Sequence, residues 1–339
     1  MEEPGRAAGA IFPPAVRAPE ISVVVPSHGR RLRLRWLLNA LEEQTLSRER
    51  FEVIVVHDYD DIDSRETLDR HPLAESGTLR QIRIPAGTGR ASRQRNLGWR
   101  EAVAPLVAFT DDDCRPAEEW LERLLAGAGR NDGAIVQGRT EFDPIAIEIF
   151  AAPHVRSVQE LDPPGPFAQT CNVLYPRSVL ERVGGFDESI AAPAGEDLDL
   201  AVRARAAGAG YVGATDAIVY HCVESYTLVG MLRLNRKWEE IAYLAKRHPE
   251  VRRTFTHHIF WRRSHFRLIL ALAGLAMARR RPALAALACP YLRDGLRHRG
   301  THLRARVAGA VELPGRAVVD LAEIATLLRG SIRNRTIVL

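Results

Sequence analysis

Leu106-Val107-Ala108-Phe109-Thr110-Asp111-Asp112-Asp113 is the stretch on which the fold turns. An apolar run that ends abruptly in three carboxylates reads as a buried strand delivering acids to its carboxyl end. In open α/β sheets, ligands bind at that edge. Adjacent carboxylates repel one another, and the cost falls when a divalent cation or a cationic partner lies among them. Pro116, Glu118, Glu119, Trp120, Leu121, Leu124 and Leu125 follow, predicting a helix that starts at the acids and runs away from them. Strand, acid cluster and helix together point to a site for a metal and a phosphate-bearing ligand. The alternative is a solvated acidic turn.

Outward from this stretch, strands and helices alternate. Ile21-Ser22-Val23-Val24-Val25-Pro26 is a short β-branched run stopped by proline, and Arg31 to Glu43 carries Leu34, Leu37, Leu38 and Leu41 at helical spacing. Phe51 to Val56 predicts a second strand, closing on His57-Asp58-Tyr59-Asp60-Asp61. A charged helical stretch from Ser64 leads to a third strand near Leu79 to Ile84. Pro85-Ala86-Gly87-Thr88-Gly89 then turns the chain into a helix over Ala91 to Ala102. This alternation implies a largely parallel, doubly wound sheet. The acids after the second and fourth strands then share one edge. Downstream, Ala134 to Gly138 is a further strand, Phe167 to Tyr175 is extended, and Pro176 to Val183 is a short helix with proline in its first turn. Gly195-Glu196-Asp197-Leu198-Asp199 opens a helix through Ala207, and Ala217 to His221 is the last strand of the domain.

After Tyr226 the pattern becomes helical. Leu228, Met231, Leu232, Asn235, Trp238, Ile241 and Ala245 fall on one helical face. Leu268 to Ala278 is an apolar run too short for a membrane span of about 20 residues. Arg279-Arg280-Arg281-Pro282 stops it, Ala283 to Cys289 is a second short run, and Pro314 to Arg329 predicts a last amphipathic helix. From Arg252 to Arg306 there are 13 arginines and one acid, Asp294, a balance of +12 against +5 for the whole chain. A basic C-terminal region on an acidic body suggests an anionic partner, a membrane surface or a nucleic acid. The 339 residues allow two domains. The four cysteines, Cys114, Cys171, Cys222 and Cys289, are scattered without zinc-type spacing, which favours reduced thiols in a cytosolic setting. Residues 1–19 are proline-rich with no apolar signal segment, predicting a disordered tail.

Six fragments in order resemble family 2 glycosyltransferases of the GT-A fold. They are Val-Val-Val-Pro-Ser at 23–27, Val-His-Asp at 56–58, Arg-Asn-Leu-Gly at 95–98, Phe-Thr-Asp-Asp-Asp at 109–113, Gly-Gly-Phe-Asp-Glu at 184–188 and Gly-Glu-Asp at 195–197. The resemblance covers roughly Ile21 to Tyr226. It implies a GT-A catalytic domain over 20–225, followed by a helical, basic region over 226–339. It further implies an inverting, metal-dependent enzyme that moves a sugar from a nucleoside-diphosphate sugar to an acceptor hydroxyl.

By the same resemblance, Asp111 and Asp113 form the DXD pair that holds Mg²⁺ or Mn²⁺, with Asp113 the more direct ligand and Asp111 nearer the ribose. Such cations take oxygen ligands and meet substrate phosphates through one or two protein carboxylates. Pro26, Asp58, Arg95, Asp111 and Asp112 are expected on the donor. The first acid of the usual pair before Asp58 is replaced by His57, which leaves the base of the nucleotide open. Arg90, Arg93 and Arg95 begin a helix after a glycine turn, a natural diphosphate-facing place, and Arg95 lies within the family match. His221 matches a histidine found near the metal in some of these enzymes. Asp197 is implied as the general base, with Glu196 on the acceptor, since a free hydroxyl is a poor nucleophile without one. Helix N-terminal acids complementing the dipole are the plainer reading of that pair. Ala191-Ala192-Pro193-Ala194 is expected to form a lid over the donor.

The arginine-flanked apolar runs suggest helices lying in a membrane interface, which places the protein in the cytoplasm, peripheral on the inner face of the membrane. The acceptor is then an envelope or lipid-linked glycan. A buried helical subdomain with a solvated basic face is the alternative. Aromatic residues are sparse in this region and no nucleic-acid fold is evident, so a nucleic-acid partner ranks last. Nucleotidyl transfer to a sugar phosphate needs a glycine-rich turn where this chain has Pro26-Ser27-His28-Gly29-Arg30, and no P-loop is present. A non-catalytic nucleotide-sugar-binding or scaffold protein on the same fold is the remaining alternative.

Overall fold

The computed structural model describes residues 18–146, 155–157, 159–190 and 194–339. All but the last two residues of the expected N-terminal tail, and Ala191, Ala192 and Pro193 of the expected lid, lie outside these. The first half runs β1 (Ile21–Ser27), α1 (Arg31–Glu42), β2 (Phe51–His57), α2 (Ile62–Asp69), α3 (Pro72–Glu75), β3 (Leu79–Arg83), α4 (Ala91–Glu101) and β4 (Leu106–Phe109). Then come β5 (Cys114–Pro116), α5 (Trp120–Arg130), β6 (Ile135–Phe142), β7 (Val155–Ser157), β8 (Val173–Pro176), α6 (Arg177–Val183), α7 (Glu196–Ala206), β9 (Tyr211–His221) and β10 (Glu224–Tyr226). Eight strands form one sheet in the order β3-β2-β1-β4-β8-β6-β9-β5, while β10 and β7 pair separately.

β3, β2, β1 and β4 are mutually parallel, β8 runs antiparallel to both β4 and β6, and β6 is parallel to β9. Every residue of β1 and β2 is buried, as the near-continuous apolar runs require of central parallel strands. The carboxyl ends of β1, β2 and β4 therefore bring Ser27, Asp58 and Asp111–Asp113 to one edge. α4 lies directly on this sheet. A Cβ on Gly98 would stand 2.4 Å from Val24 Cγ1, so only glycine permits the approach.

The predicted helix does not begin at the acid cluster. Cys114, Arg115 and Pro116 instead pair antiparallel with His221, Tyr220 and Val219 of β9, and α5 starts only at Trp120. The proline sits in the outermost strand of the sheet, the one place where its missing N–H is tolerated. β9 begins at Tyr211, well before the predicted Ala217. Between 167 and 175, only Val173 onward is strand.

The C-terminal region is helical: α8 (Leu228–Leu234), a 3-10 turn at Asn235–Glu239, α9 (Glu240–Arg247), α10 (Arg263–Met277), a 3-10 segment at Pro282–Ala288, α11 (Cys289–Arg297) and α12 (Leu303–Asn334). The single face predicted from Leu228 to Ala245 is thus interrupted at Asn235, which is buried. α12 passes through Pro314 rather than starting there; the carbonyl one turn earlier, on exposed Ala310, is open to water. Leu198 and Val202 of α7 share a core with Ile241, Leu244, Ala245 and Leu327, so the helical region packs against α7. His248 adds a hydrogen bond of 2.8 Å to fully buried Asp199.

Candidate active site

Asp58 sits just past β2 beneath the turn at residues 85–89. Its carboxylate accepts backbone N–H bonds from Gly87 (3.1 Å) and Gly89 (3.2 Å), and His28 Nδ1 lies 2.7 Å away. Pro26 is buried within β1, in register with Val56.

The three aspartates after β4 go to three different partners. Asp111 accepts a 2.7 Å bond from Arg95 Nη2. Asp112 is buried and accepts from Ser27 Oγ at 2.7 Å and from the His28 amide at 3.2 Å. Because the Ser27 proton goes to Asp112, Tyr59 OH is the donor in its own 2.6 Å contact with Ser27. Burial, together with the charge of Asp113, pushes the Asp112 carboxyl up to about 6. Asp113 is paired with the Arg30 guanidinium, which also reaches Glu224 at 3.3 Å.

Arg95 is the centre of the site. Although only 4% exposed, it bridges Asp111 and, at 2.9 Å, Glu196 at the start of α7. Its Nε and the Glu196 Oε2 are buried without a hydrogen-bond partner. Buried polar atoms are rarely left so, and a ligand at this edge could pair with both. Arg90 and Arg93 of the same segment are exposed. Asp197, next to Glu196, is partly exposed and accepts from the Leu198 amide at 2.7 Å. Desolvation, and then the Glu196 carboxylate beside it, hold its pKa up at about 7.

His221 and Asp113 meet at the end of β9. His221 Nδ1 lies 3.0 Å from the Cys222 carbonyl, which can only accept, so Nδ1 carries the proton. In the neutral ring, Nε2 then presents a lone pair to Asp113 Oδ1 at 3.6 Å. That oxygen is buried and has no hydrogen-bond partner. Two acceptors so placed could hold a cation, and the carbonyl bond fixes the imidazole in the orientation that metal-binding histidines need. Glu224 offers a further carboxylate oxygen within 4.8 Å of one on Asp113. Burial pushes the neighbouring thiols of Cys114 and Cys222 up, and the carboxylate oxygens and imidazole beside them are donors that fit Mn²⁺ or Mg²⁺.

The structure thus gathers Asp111, Asp112, Asp113, Arg95, Glu196, Asp197 and His221 around one edge, with Asp58 farther along β2. Asp113 and His221 adjoin directly, while Asp111 turns to Arg95. Sequence reasoning missed Ser27, His28, Arg30 and Glu224. Ser27 ends β1 and His28 and Arg30 follow it, at the edge already identified, and that placement was the available signal.

Two motifs meet away from the edge. Asn96 Nδ2 donates to the Phe186 carbonyl (2.9 Å) and to Glu188 (2.8 Å), and its Oδ1 accepts from the Phe186 amide and Trp99 Nε1, both at 2.9 Å. Gly185 has φ +75°, and a Cβ there would lie 2.5 Å from Asn96 Oδ1. Gly185→Ala is expected to cost about 2–4 kcal/mol in urea unfolding, from backbone strain and overpacking. A loss below about 1 kcal/mol would mean that the turn relaxes around the methyl group.

A curled, mostly parallel sheet bearing acids at its carboxyl edge, followed by helices, defines a glycosyltransferase of GT-A architecture. The family model described as "Glycosyl transferase family 2" matches residues 22–184, and "Glycosyl transferase family group 2" matches residues 106–293, more than half of the chain. The protein belongs to glycosyltransferase family 2. It is 27% identical over 207 residues to glycosyltransferase AglE of Haloferax volcanii, covering 60% of this chain and 67% of AglE. It is 29% identical over 223 residues to validoxylamine A glucosyltransferase of Streptomyces hygroscopicus subsp. jinggangensis, covering 56% of this chain and 52% of that enzyme. The chain therefore spans about two thirds and one half of the lengths of these relatives. Among solved structures, the mannosyltransferase PcManGT of Pyrobaculum calidifontis, in complex with GDP-Man and Mn²⁺, superposes with a TM-score of 0.55 at 18% identity, covering 96% of this chain and 90% of that one. That likeness establishes the shared fold.

Proposed function

We propose that this chain is a metal-dependent inverting glycosyltransferase that moves a sugar from a nucleoside-diphosphate sugar to an acceptor hydroxyl. One observation carries the reading. A cation-seeking pair, Asp113 and His221, and a carboxyl held near neutrality, Asp197, flank the same buried arginine network. A metal on one side of that network and a base on the other are what sugar transfer needs.

Asp113 and His221 would hold Mn²⁺ or Mg²⁺, with Glu224 in reach. When bound, the ion supplies charge neutralisation to the departing diphosphate. PcManGT, seen with GDP-Man and Mn²⁺, supports the donor and metal classes. Asp58 and the turn above it form the far end of the donor cleft, and Asp111 presents its second oxygen to the ribose. Ionised Asp197 takes the proton of the acceptor hydroxyl as that oxygen attacks the anomeric carbon. The bond from that carbon to the diphosphate oxygen breaks on the opposite face, and the configuration inverts. Arg95 holds Glu196 and Asp111 in place throughout. The basic helical region favours a membrane-linked glycan as acceptor.

Calorimetric titration of UDP, GDP and dTDP, with and without Mn²⁺, tests the donor side. One nucleotide is expected to bind at least about 10-fold more tightly with the metal present. Failure of all three to bind folded protein under both conditions would overturn the proposal.

A further inference from the structure

α12 is 32 residues long, about 48 Å at a rise of 1.5 Å per residue. One side of it is packed. Leu327 is fully buried, and Gly309 and Gly330 bring the helix against the backbone of Gly295 and Glu239. The opposite side is apolar and exposed. Starting from Leu303, it passes through Val307, Val311, Val318, Leu321, Leu328 and Ile332, which are between 42% and 74% exposed. Ile332 falls about eight turns of 3.6 residues beyond Leu303, so these positions make one straight stripe. A contiguous apolar stripe left exposed beside a packed face marks a contact surface. Among the described residues, nothing covers this side.

Charge identifies what does. The three acids of α12 are all turned inward: Glu312 pairs with Arg299, Asp320 accepts from Tyr291 at 2.8 Å, and Glu323 from His265 at 3.0 Å. The exposed charges are arginines at both ends, Arg304 and Arg306 at the start and Arg329 and Arg333 at the finish. The last two share the single carboxylate of Glu239, at 3.5 and 3.4 Å, which leaves that end net positive. Pairing of the stripe with a second copy, parallel or antiparallel, sets arginine ends against arginine ends. An anionic headgroup layer meets the same arginines favourably while the acyl boundary takes the stripe. The end of α10 repeats the pattern, with exposed Leu272, Leu275 and Met277 before exposed Arg279, Arg280 and Arg281. Among the described residues, no helix is long and apolar enough to cross a membrane, so the contact lies on the surface.

We propose that the outer face of α12 docks on a bilayer surface containing anionic phospholipid, with the apolar stripe at the acyl boundary and the terminal arginines among the headgroups. The inference rests on α12 and the end of α10 and stands apart from the transfer reading. The test is co-sedimentation of the full chain with phosphatidylcholine vesicles, with and without about 30 mol% phosphatidylglycerol. The protein is expected to pellet with the anionic vesicles. The double variant V311D/L321D, altered only at exposed positions, is expected to lose at least about 10-fold in partitioning with an unchanged Tm. Wild type remaining in the supernatant with anionic vesicles overturns the proposal, as does equal partitioning by the variant. Sedimentation velocity checks the other occupant: a wild-type dimer that V311D/L321D converts to monomer overturns the proposal and assigns the stripe to a second copy.

Discussion

Asp197→Asn is expected to lower kcat by about 10³-fold while leaving donor affinity within about two-fold. Removal of a general base costs a transition-state interaction, and the proposed mechanism holds the donor elsewhere, at the Asp113–His221 end of the edge. Asparagine keeps the shape and can still accept from the Leu198 amide, so the loss reads the proton-accepting role alone. The wild-type pH profile carries the same information. Desolvation and the Glu196 carboxylate place Asp197 near pH 7, so kcat/KM is expected to rise about 10-fold per pH unit below 7 and level off above it. A variant that retains more than about a tenth of wild-type kcat would move the base to another group.

The same substitution is expected to stabilise the protein, in a pH-dependent way. Asp197 has an ordinary pKa of 3.8 and a native one of about 7, so between those values the native state holds a proton that the unfolded chain has released. The stability from this group is complete below pH 4 and is lost as pH rises through 7. Above that, the folded protein carries a desolvated charge beside Glu196. Asparagine carries none. Because Asp197 is partly exposed, the gain is about 1–2 kcal/mol at pH 8, or about 2–4 °C in Tm, and close to zero at pH 4. A gain that is independent of pH would trace to packing rather than to charge. Loss of turnover together with a gain in stability marks a group kept for chemistry at the expense of the fold.

The sequence was most legible where one residue type dominates a local environment. The buried runs at 21–27 and 51–57 have no exposed face, so their composition alone marks central parallel strands, and the acids that stop β2 and β4 fall at the edge the topology demands. β5 was illegible. Three residues that include a proline carry no strand signal, and the segment is extended only because β9 arrives beside it. Pro314 misled in the opposite direction, since proline normally opens a helix, whereas the packing of Gly309 and Leu327 carries α12 through it. Within the site, Asp111, Asp112 and Asp113 read as one unit, yet the fold sends them to Arg95, Ser27 and Arg30 in turn. Partner choice of that kind depends on side chains more than 80 residues apart for Asp112 and Asp113, and no local pattern records it. Glu224, whose carboxylate faces Asp113 from beyond β9, escaped notice for the same reason.

Asp113→Asn is expected to weaken Mn²⁺ binding by about 100-fold or more, measured by calorimetry in the presence of the nucleotide diphosphate, and to lower transfer by about 10³-fold. The Asp113 Oδ1 that lacks a partner faces His221 Nε2 at 3.6 Å, and in the neutral ring, whose one proton on Nδ1 goes to the Cys222 carbonyl, these are two acceptors. An amide at position 113 can turn its N–H toward His221 Nε2, closing that gap with a hydrogen bond and removing the demand for a cation. The variant should therefore fold as well as wild type, or better, while losing the metal. Arg30 sharpens the comparison. Its guanidinium neutralises Asp112 and Asp113 together, at the position where a cation relieves their repulsion. Arg30→Met leaves that repulsion uncompensated, so it is expected to tighten Mn²⁺ binding in the absence of donor, by about 10-fold. Opposite shifts in metal affinity from D113N and R30M separate a metal site from a structural ion pair. Unchanged Mn²⁺ affinity in both would leave Arg30 as the permanent counter-ion and place the metal away from Asp113.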